Sequence, residues 1–105
     1  DNNNKQIDGD LKDVLDIGDI GSKFNAFGWT VLTVEKGNDI NQVEKELNKA
    51  KNLCFIGKPV VIIMNTEMGN GVDFMMGTHK WHGVAPNDEQ LKLALNQNPE
   101  TLKDY

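Results

Sequence analysis

The longest apolar run in the chain is Pro59-Val-Val-Ile-Ile-Met64, opened by Gly57-Lys58. A short continuous run of this kind, bounded by turn residues and rich in β-branched side chains, predicts a buried strand over Val60–Met64. Trp29–Val34 (WTVLTV) alternates and is rich in β-formers, which predicts a second strand. Between them the turn Gly37-Asn38-Asp39 supplies Asp39 as N-cap, and Gln42 three residues later completes a capping box. Ile40, Val43, Leu47, Ala50 and, less regularly, Leu53 then fall on one helical face, with Glu44, Lys45, Asn48 and Lys49 outside it. Strand, helix and strand joined by a right-handed crossover form a parallel pair. Upstream, Leu11–Ile20 carries apolar residues at 11, 14, 15, 17 and 20, an irregular pattern that suits a turn or short helix packed on a body. Ser22 predicts the cap of another short helix, on which Phe24 and Phe27 share a side before Gly28 ends it. Asn87 and Gln90 make a capping box for a last helix with Leu91, Ala94 and Leu95 as its buried stripe. Pro99 stops that helix, and the tail to Tyr105 reads as an exposed end.

These elements predict an α/β fold, a parallel open sheet with flanking helices. Two strands are too few to bury a crossover helix and both sheet faces, so further sheet partners are expected from upstream chain or from another subunit. At 105 residues the chain is one small domain at most, or a piece of a larger one. It starts DNNNK, without an initiator Met and without an element leading into that segment, which suggests a chain cut from something longer. Acidic residues outnumber basic ones sixteen to eleven for a net charge of −5, and every basic residue is a lysine. Such a surface repels phosphate backbones, so nucleic acid is not an expected partner. No apolar run reaches the length of a membrane span, and no membrane association is expected. The single Cys54 cannot close an internal disulfide; it reads as a half-buried helix-end residue in a reducing, cytoplasmic setting.

The candidate chemistry concentrates in Met68–Pro86 (MGNGVDFMMGTHKWHGVAP), which holds both histidines, four of the ten glycines and three of the four methionines. A glycine-broken loop leaving the carboxyl end of a buried strand is where open α/β sheets hold ligands. His79 and His82 have H-x-x-H spacing, but the surrounding glycines oppose a helix and no third His or second Cys is available, so zinc is poorly supported. Gly69, Gly71 and Gly77 do not open a helix as G-x-G-x-x-G, and no P-loop sequence is present. No Ser-His-Asp or Cys-His arrangement can be assembled. At the other end, Asp1–Gly9 (DNNNKQIDG) offers the amide and carboxylate oxygens that hard cations prefer. Stacked Asn residues equally make a solvated turn or a frayed terminus. The residues alone therefore give an α/β piece with a ligand loop and no assigned reaction.

Three segments, in this order, carry a resemblance. DNNNKQIDG is similar to the D-x-N-x-x-x-I-D-G segment that closes the metal and diphosphate motif of transketolases. KFNAFGW-x-V followed by GND is similar to that family's K-F-x-A-x-G-W-x-V and G-H-D, with Asn38 where His is usual. KPVVIIMNT-x-x-G-x-G followed by WHG-x-AP is similar to its K-P-x-x-I-x-x-T-x-x-G-x-G and W-H-G. Over nearly its whole length the chain resembles the thiamin-diphosphate-binding part of transketolase. The G-x-G-V-x-F-M run and the WHG-x-APNDEQ segment resemble the bacterial two-subunit form in particular.

The resemblance implies that residues 1–105 are the C-terminal portion of the diphosphate-binding domain, incomplete without upstream residues. It implies thiamin diphosphate as cofactor, held through Mg²⁺ or Ca²⁺ by the Asn3 side chain and the Lys5 backbone carbonyl. Ile7 matches an apolar position beside the cofactor rings, and Met68 and Gly69 match cofactor-contacting positions. His82 matches the active-site histidine, near both cofactor diphosphate and sugar substrate, and His79 is a lesser substrate-binding candidate. The implied reaction is transfer of a two-carbon ketol unit from a ketose phosphate to an aldose phosphate, as in the pentose phosphate pathway, with the cofactor as electron sink. The implied partners are the upstream half of the domain and a second subunit carrying the pyrimidine-binding domain, in a dimer of heterodimers, with sugar phosphates as ligands. The acidic G-D-G part of the metal motif and the Glu that activates the aminopyrimidine have no counterpart in this sequence. A related thiamin-diphosphate enzyme with another sugar substrate, and a non-catalytic scaffold fragment, are the alternatives.

Overall fold

Asn3 and Asn4 lead into a tight antiparallel hairpin, β1 (Lys5–Gln6) and β2 (Gly9–Asp10), which turns at Ile7-Asp8. The coordinates, a computed structural model, describe residues 1–99, so the expectation of an exposed tail to Tyr105 lies outside the described residues. After the hairpin come α1 (Leu11–Leu15), α2 (Ile20–Ala26), β3 (Thr30–Val34), α3 (Ile40–Leu53), β4 (Val60–Met64) and α4 (Asp88–Gln97). The architecture is α/β, with β3 and β4 parallel in unbroken register from Thr30↔Val60 to Val34↔Met64. Beyond β4 the N-terminal segment continues the sheet. Asn2 bridges Asn65 in parallel, its N–H donates to the Met64 carbonyl at 2.8 Å, and its side-chain amide donates to Asn65 Oδ1 at 2.8 Å. Asp1–Gly9 is therefore not a frayed terminus but an ordered sheet edge that turns into a hairpin.

Strand alternation divides the apolar residues between two faces. Leu32 and Val34 are buried on one face, where Val34 is only 1% exposed, and α3 packs on both strands with Ala50 buried. The other face takes α2. A Cβ on Gly21 would lie 3.6 Å from Ile63 Cδ1 and 3.7 Å from Val31 Cγ1, so the helix backbone rests directly on the sheet. The expected burial is only partly realised. β4 is half-buried at all five positions, Ile40 of α3 is 73% exposed and Leu95 of α4 is 61% exposed. The periodicity locates apolar faces correctly, but the described residues supply too few elements to cover them.

Local capping differs from expectation at α2. Its N-cap is Asp19, not Ser22: Asp19 Oδ1 accepts from the Ser22 N–H at 3.1 Å and Oδ2 from the Ser22 hydroxyl at 2.5 Å. A carboxylate already placed three residues upstream takes both Ser22 donors, so Ser22 sits inside the first turn. At the far end Gly28 adopts φ +84° and donates to Asn25 O, while Trp29 N–H donates to Phe24 O. That is a Schellman closure, completed by edge-on packing of Phe24 and Trp29 at 5.2 Å, and it delays the strand to Thr30. Asp39 caps α3 as expected by accepting from Asn41 N, but Gln42 bonds Lys36 N through its carbonyl rather than closing a box. Asn87 and Gln90 do form the reciprocal box at α4. Cys54 is the C-cap of α3 and is exposed rather than half-buried, with its thiol toward Ala50 O.

Candidate functional site

The carboxyl ends of β3 and β4 run into polar turns that touch one another. Gly37 N–H donates to Asn65 O at 2.7 Å, and a Cβ on Gly37 would lie 2.7 Å from Thr66 Cγ2. Only glycine lets these two turns approach so closely. Above them lies an open cavity of about 550 Å³, lined among others by Asn2, Asn4, Asn38, Asn65, Thr66 and Glu67. A second cavity of about 330 Å³ on the α2 side also borders Asn2, Asn4 and Asn65. This ring of side-chain amides joins three separate turns. Sequence reasoning singles out Asn3 and passes over Asn2, Asn4, Asn65 and Asn70. Strand alternation out of Asn65 and Asn2 is the available signal.

Asn3 lies between its neighbours and outside the lining of both cavities. Its Oδ1 accepts from Lys5 N–H at 2.8 Å and its amide donates to Asp1 Oδ2 at 3.2 Å. Asn4, at φ +58°, makes the left-handed turn between them, a conformation Asn tolerates. The Lys5 ammonium is taken by Asp10 at 2.6 Å, so this residue's bid for a cation rests on its carbonyl. The side-chain amide oxygen of Asn3, with one lone pair still free, and the carbonyl of Lys5 sit on one short turn. They are hard oxygen donors of the kind Mg²⁺ or Ca²⁺ takes, two where such a cation takes about six. Among the described residues no group of three or more His, Cys, Asp or Glu side chains could hold a metal.

The loop from Glu67 to Gly83 is held by its own bonds. Glu67 N–H donates to Asn38 Oδ1 at 2.7 Å, and Glu67 Oε1 accepts from Gly77 N–H at 2.7 Å. Gly69, at φ +75°, lies so close to Met75 that a Cβ there would be 2.6 Å from the Met75 Cβ. Met68 and Gly69 are half-buried inside this closed loop. Trp81 Nε1 donates to Phe74 O at 3.0 Å while the two rings meet edge-on at 5.2 Å. His82 N–H then donates to His79 O at 3.0 Å, which makes the H-x-x-H segment a tight turn. His79 is half-buried and His82 is exposed at the far side of that turn. α4 holds the loop from outside, with Gln97 Oε1 accepting from Asp73 N–H at 2.8 Å and Asn98 Nδ2 donating to Gly71 O at 3.2 Å.

The two ends of the site adjoin through Ile7 and Gly83. A Cβ on Gly83 would lie 3.8 Å from Ile7 Cδ1, so the tip of the N-terminal hairpin stands beside the residue that follows His82. Ile7 is otherwise 61% exposed. Asn3 and His82 do not line a common cavity among the described residues. Asp19, at the rim of the smaller cavity, has its carboxyl held below the ordinary carboxylate range by the Ser22 hydroxyl and then by the Ser22 N–H.

Residues 1–100 match the family described as transketolase, thiamine diphosphate binding domain. The chain is 38% identical to one subunit of the apulose-4-phosphate transketolase of Actinobacillus succinogenes, over 99% of this chain and 35% of that protein. It is 36% identical to a transketolase of Kluyveromyces lactis, over 95% of this chain and 15% of that one. It also superposes on a Pichia stipitis transketolase, crystallised with sedoheptulose-7-phosphate, with a TM-score of 0.81. That match covers 92% of this chain and 14% of the other at 24% identity, a likeness of fold. The chain thus spans about a third of the length of its Actinobacillus relative and about a seventh of the longer ones. Matched over residues 1–100, the chain belongs to the transketolase family, within the thiamine diphosphate binding domain.

Proposed function

We propose that these residues form the carboxyl-terminal portion of the diphosphate-binding domain of an enzyme that moves a two-carbon ketol unit from a ketose phosphate to an aldose phosphate. The observation that carries this reading is the contact of Ile7 with Gly83, which brings the hairpin and the histidine turn to one place although most of the chain separates them. Asn3 and the Lys5 carbonyl would hold Mg²⁺ or Ca²⁺, which would offset the charge of the thiamin diphosphate phosphates. When bound, that cofactor supplies the electron sink for carbon–carbon cleavage. Ile7 would offer the cofactor's rings an apolar contact, and Met68 and Gly69 would contact it from the loop.

His82 is the group of this chain suited to proton work at the substrate. Imidazole both donates and accepts near neutral pH, and its exposed position leaves it free to meet a ligand arriving over the loop. His79, half-buried one turn away, lines the substrate side. The likeness to transketolase subunits of Actinobacillus succinogenes and Phocaeicola vulgatus supports an assembly in which a second polypeptide completes the site. We take that assembly to be a cytoplasmic dimer of heterodimers. The activity belongs with the pentose phosphate pathway.

The test is an assay of the complete assembly, with the remaining domain and the second subunit, against a panel of ketose and aldose phosphates. Ketol transfer should require both thiamin diphosphate and a divalent cation, vanish after chelation and return on adding Mg²⁺. An assembly that binds both yet transfers no ketol unit on any substrate of the panel would remove the reading.

A further inference from the structure

Glu67 is a charged residue that the family resemblance gives no role, and it sits at the crossing of two turns. Its N–H is fixed by Asn38 Oδ1 from the β3–α3 turn at 2.7 Å. Its carboxylate reaches across the glycine loop and accepts the N–H of Gly77 at 2.7 Å, ten residues on. Gly77 has φ +70°, a conformation that ordinary side chains avoid, and it is where the chain reverses toward Trp81 and His82. Three closures then follow in series: Glu67 to Gly77, Trp81 to Phe74, and His82 N–H to His79 O. The first is the only one of the three made by a charged group. A hydrogen bond to an ionised acceptor is stronger than a neutral one.

We infer that Glu67 is a positioning residue: with its backbone N–H held by Asn38, its carboxylate clamps Gly77 and so fixes where the turn carrying His82 stands relative to the hairpin tip. The Asn38–Glu67–Gly77 relay makes the β3–α3 turn part of the site's support. In this role Glu67 holds a backbone amide. The role of the clamp in turnover rests on the functional reading above, whereas the clamp itself does not.

The test compares wild type, Glu67→Ala and Glu67→Gln in the complete assembly. Two readouts are taken: amide hydrogen exchange across residues 74–82, and kcat and KM for the sugar phosphates at saturating cofactor. Glu67→Ala should speed exchange at the Gly77 amide about fivefold and lower kcat by a comparable factor, the loss expected for one hydrogen bond at an exposed site, where solvent screens the charge. Glu67→Gln keeps a carbonyl acceptor of the same reach and should restore most of both. The inference fails if Glu67→Ala leaves Gly77 exchange unchanged, or if Gln and Ala lower kcat alike. If the wild-type assembly shows no ketol transfer, the loss falls on the functional reading, and the exchange comparison alone decides the clamp.

Discussion

His82 owes its place to backbone and to its neighbours rather than to its own ring. Its N–H closes the turn on His79 O, and the side chain before it, Trp81, is anchored on Phe74. Replacing the exposed imidazole therefore removes chemistry without removing structure. We expect His82→Ala to lower ketol transfer in the complete assembly by about 10²- to 10⁴-fold, while the melting temperature stays put because exposed substitutions cost within about 0.5 kcal/mol. Steady-state assay beside a thermal melt checks both halves, and full activity would take His82 out of the mechanism. Gly69 is the opposite case. Its φ of +75° and the 2.6 Å approach of a Cβ to Met75 make any side chain both strained and crowded. Gly69→Ala should cost about 1–3 kcal/mol and loosen cofactor binding, read as a lowered melting midpoint and a raised KM for thiamin diphosphate. Both residues are legible because their motif is local and contiguous. The Asn38–Glu67 bond is not, since a hydrogen bond between side chain and backbone 29 residues apart leaves no periodic trace in the chain.

Among elements, the sequence is most readable where a cap and its donors lie within one turn. Asp39 and the Asn87–Gln90 box are visible for that reason. The start of α2 is ambiguous because Asp19 and Ser22 both favour the N-cap, and only the geometry reveals that the carboxylate captures both donors of the serine. That capture has a pH signature. The Asp19 carboxyl is lowered from its ordinary value of 3.8, first by the Ser22 hydroxyl and then by the Ser22 N–H. A depressed carboxylate contributes stability that is complete above the ordinary value and is lost as pH falls through the folded value. Wild type should therefore melt above Asp19→Asn at neutral pH, and the difference should fade below about pH 4. Parallel melts across that range check it, and a difference that stays constant would assign the cap no ionic part. Strand pairing is legible in kind, because strand, helix and strand impose parallel β3 and β4. The bridge of Asn2 to Asn65 is not, for a single pair 63 residues apart has no repeat to reveal it.

At the scale of the molecule, the chain exposes far more surface than it can keep dry by itself. Its accessible surface is 8000 Å², against about 5,900 Å² for a compact protein of its mass. Its radius of gyration is 16.9 Å, against about 13 Å for a compact chain of this length. The excess of roughly 2,000 Å² is the area of a substantial protein interface. Part of it is apolar. Phe27 and Ile56 lie just ahead of β3 and β4 with Phe55, which is 92% exposed, and Leu91 and Leu95 line α4. Cofactor affinity follows the same logic as burial. The described residues offer a hard cation two oxygen donors and no cluster of three or more His, Cys, Asp or Glu side chains, and Ile7 is 61% exposed. A diphosphate carries its charge into such a site only if the remaining ligands and walls are there to replace its water. Titration calorimetry of the 105-residue chain with thiamin diphosphate and Mg²⁺ should accordingly give no binding heat. The same titration with the rest of the domain and the second subunit present should. Micromolar affinity in the chain alone would mean that Asn3, Lys5, Ile7 and the Met68–Gly69 loop already make a complete pocket, and that the open faces serve some end other than finishing it.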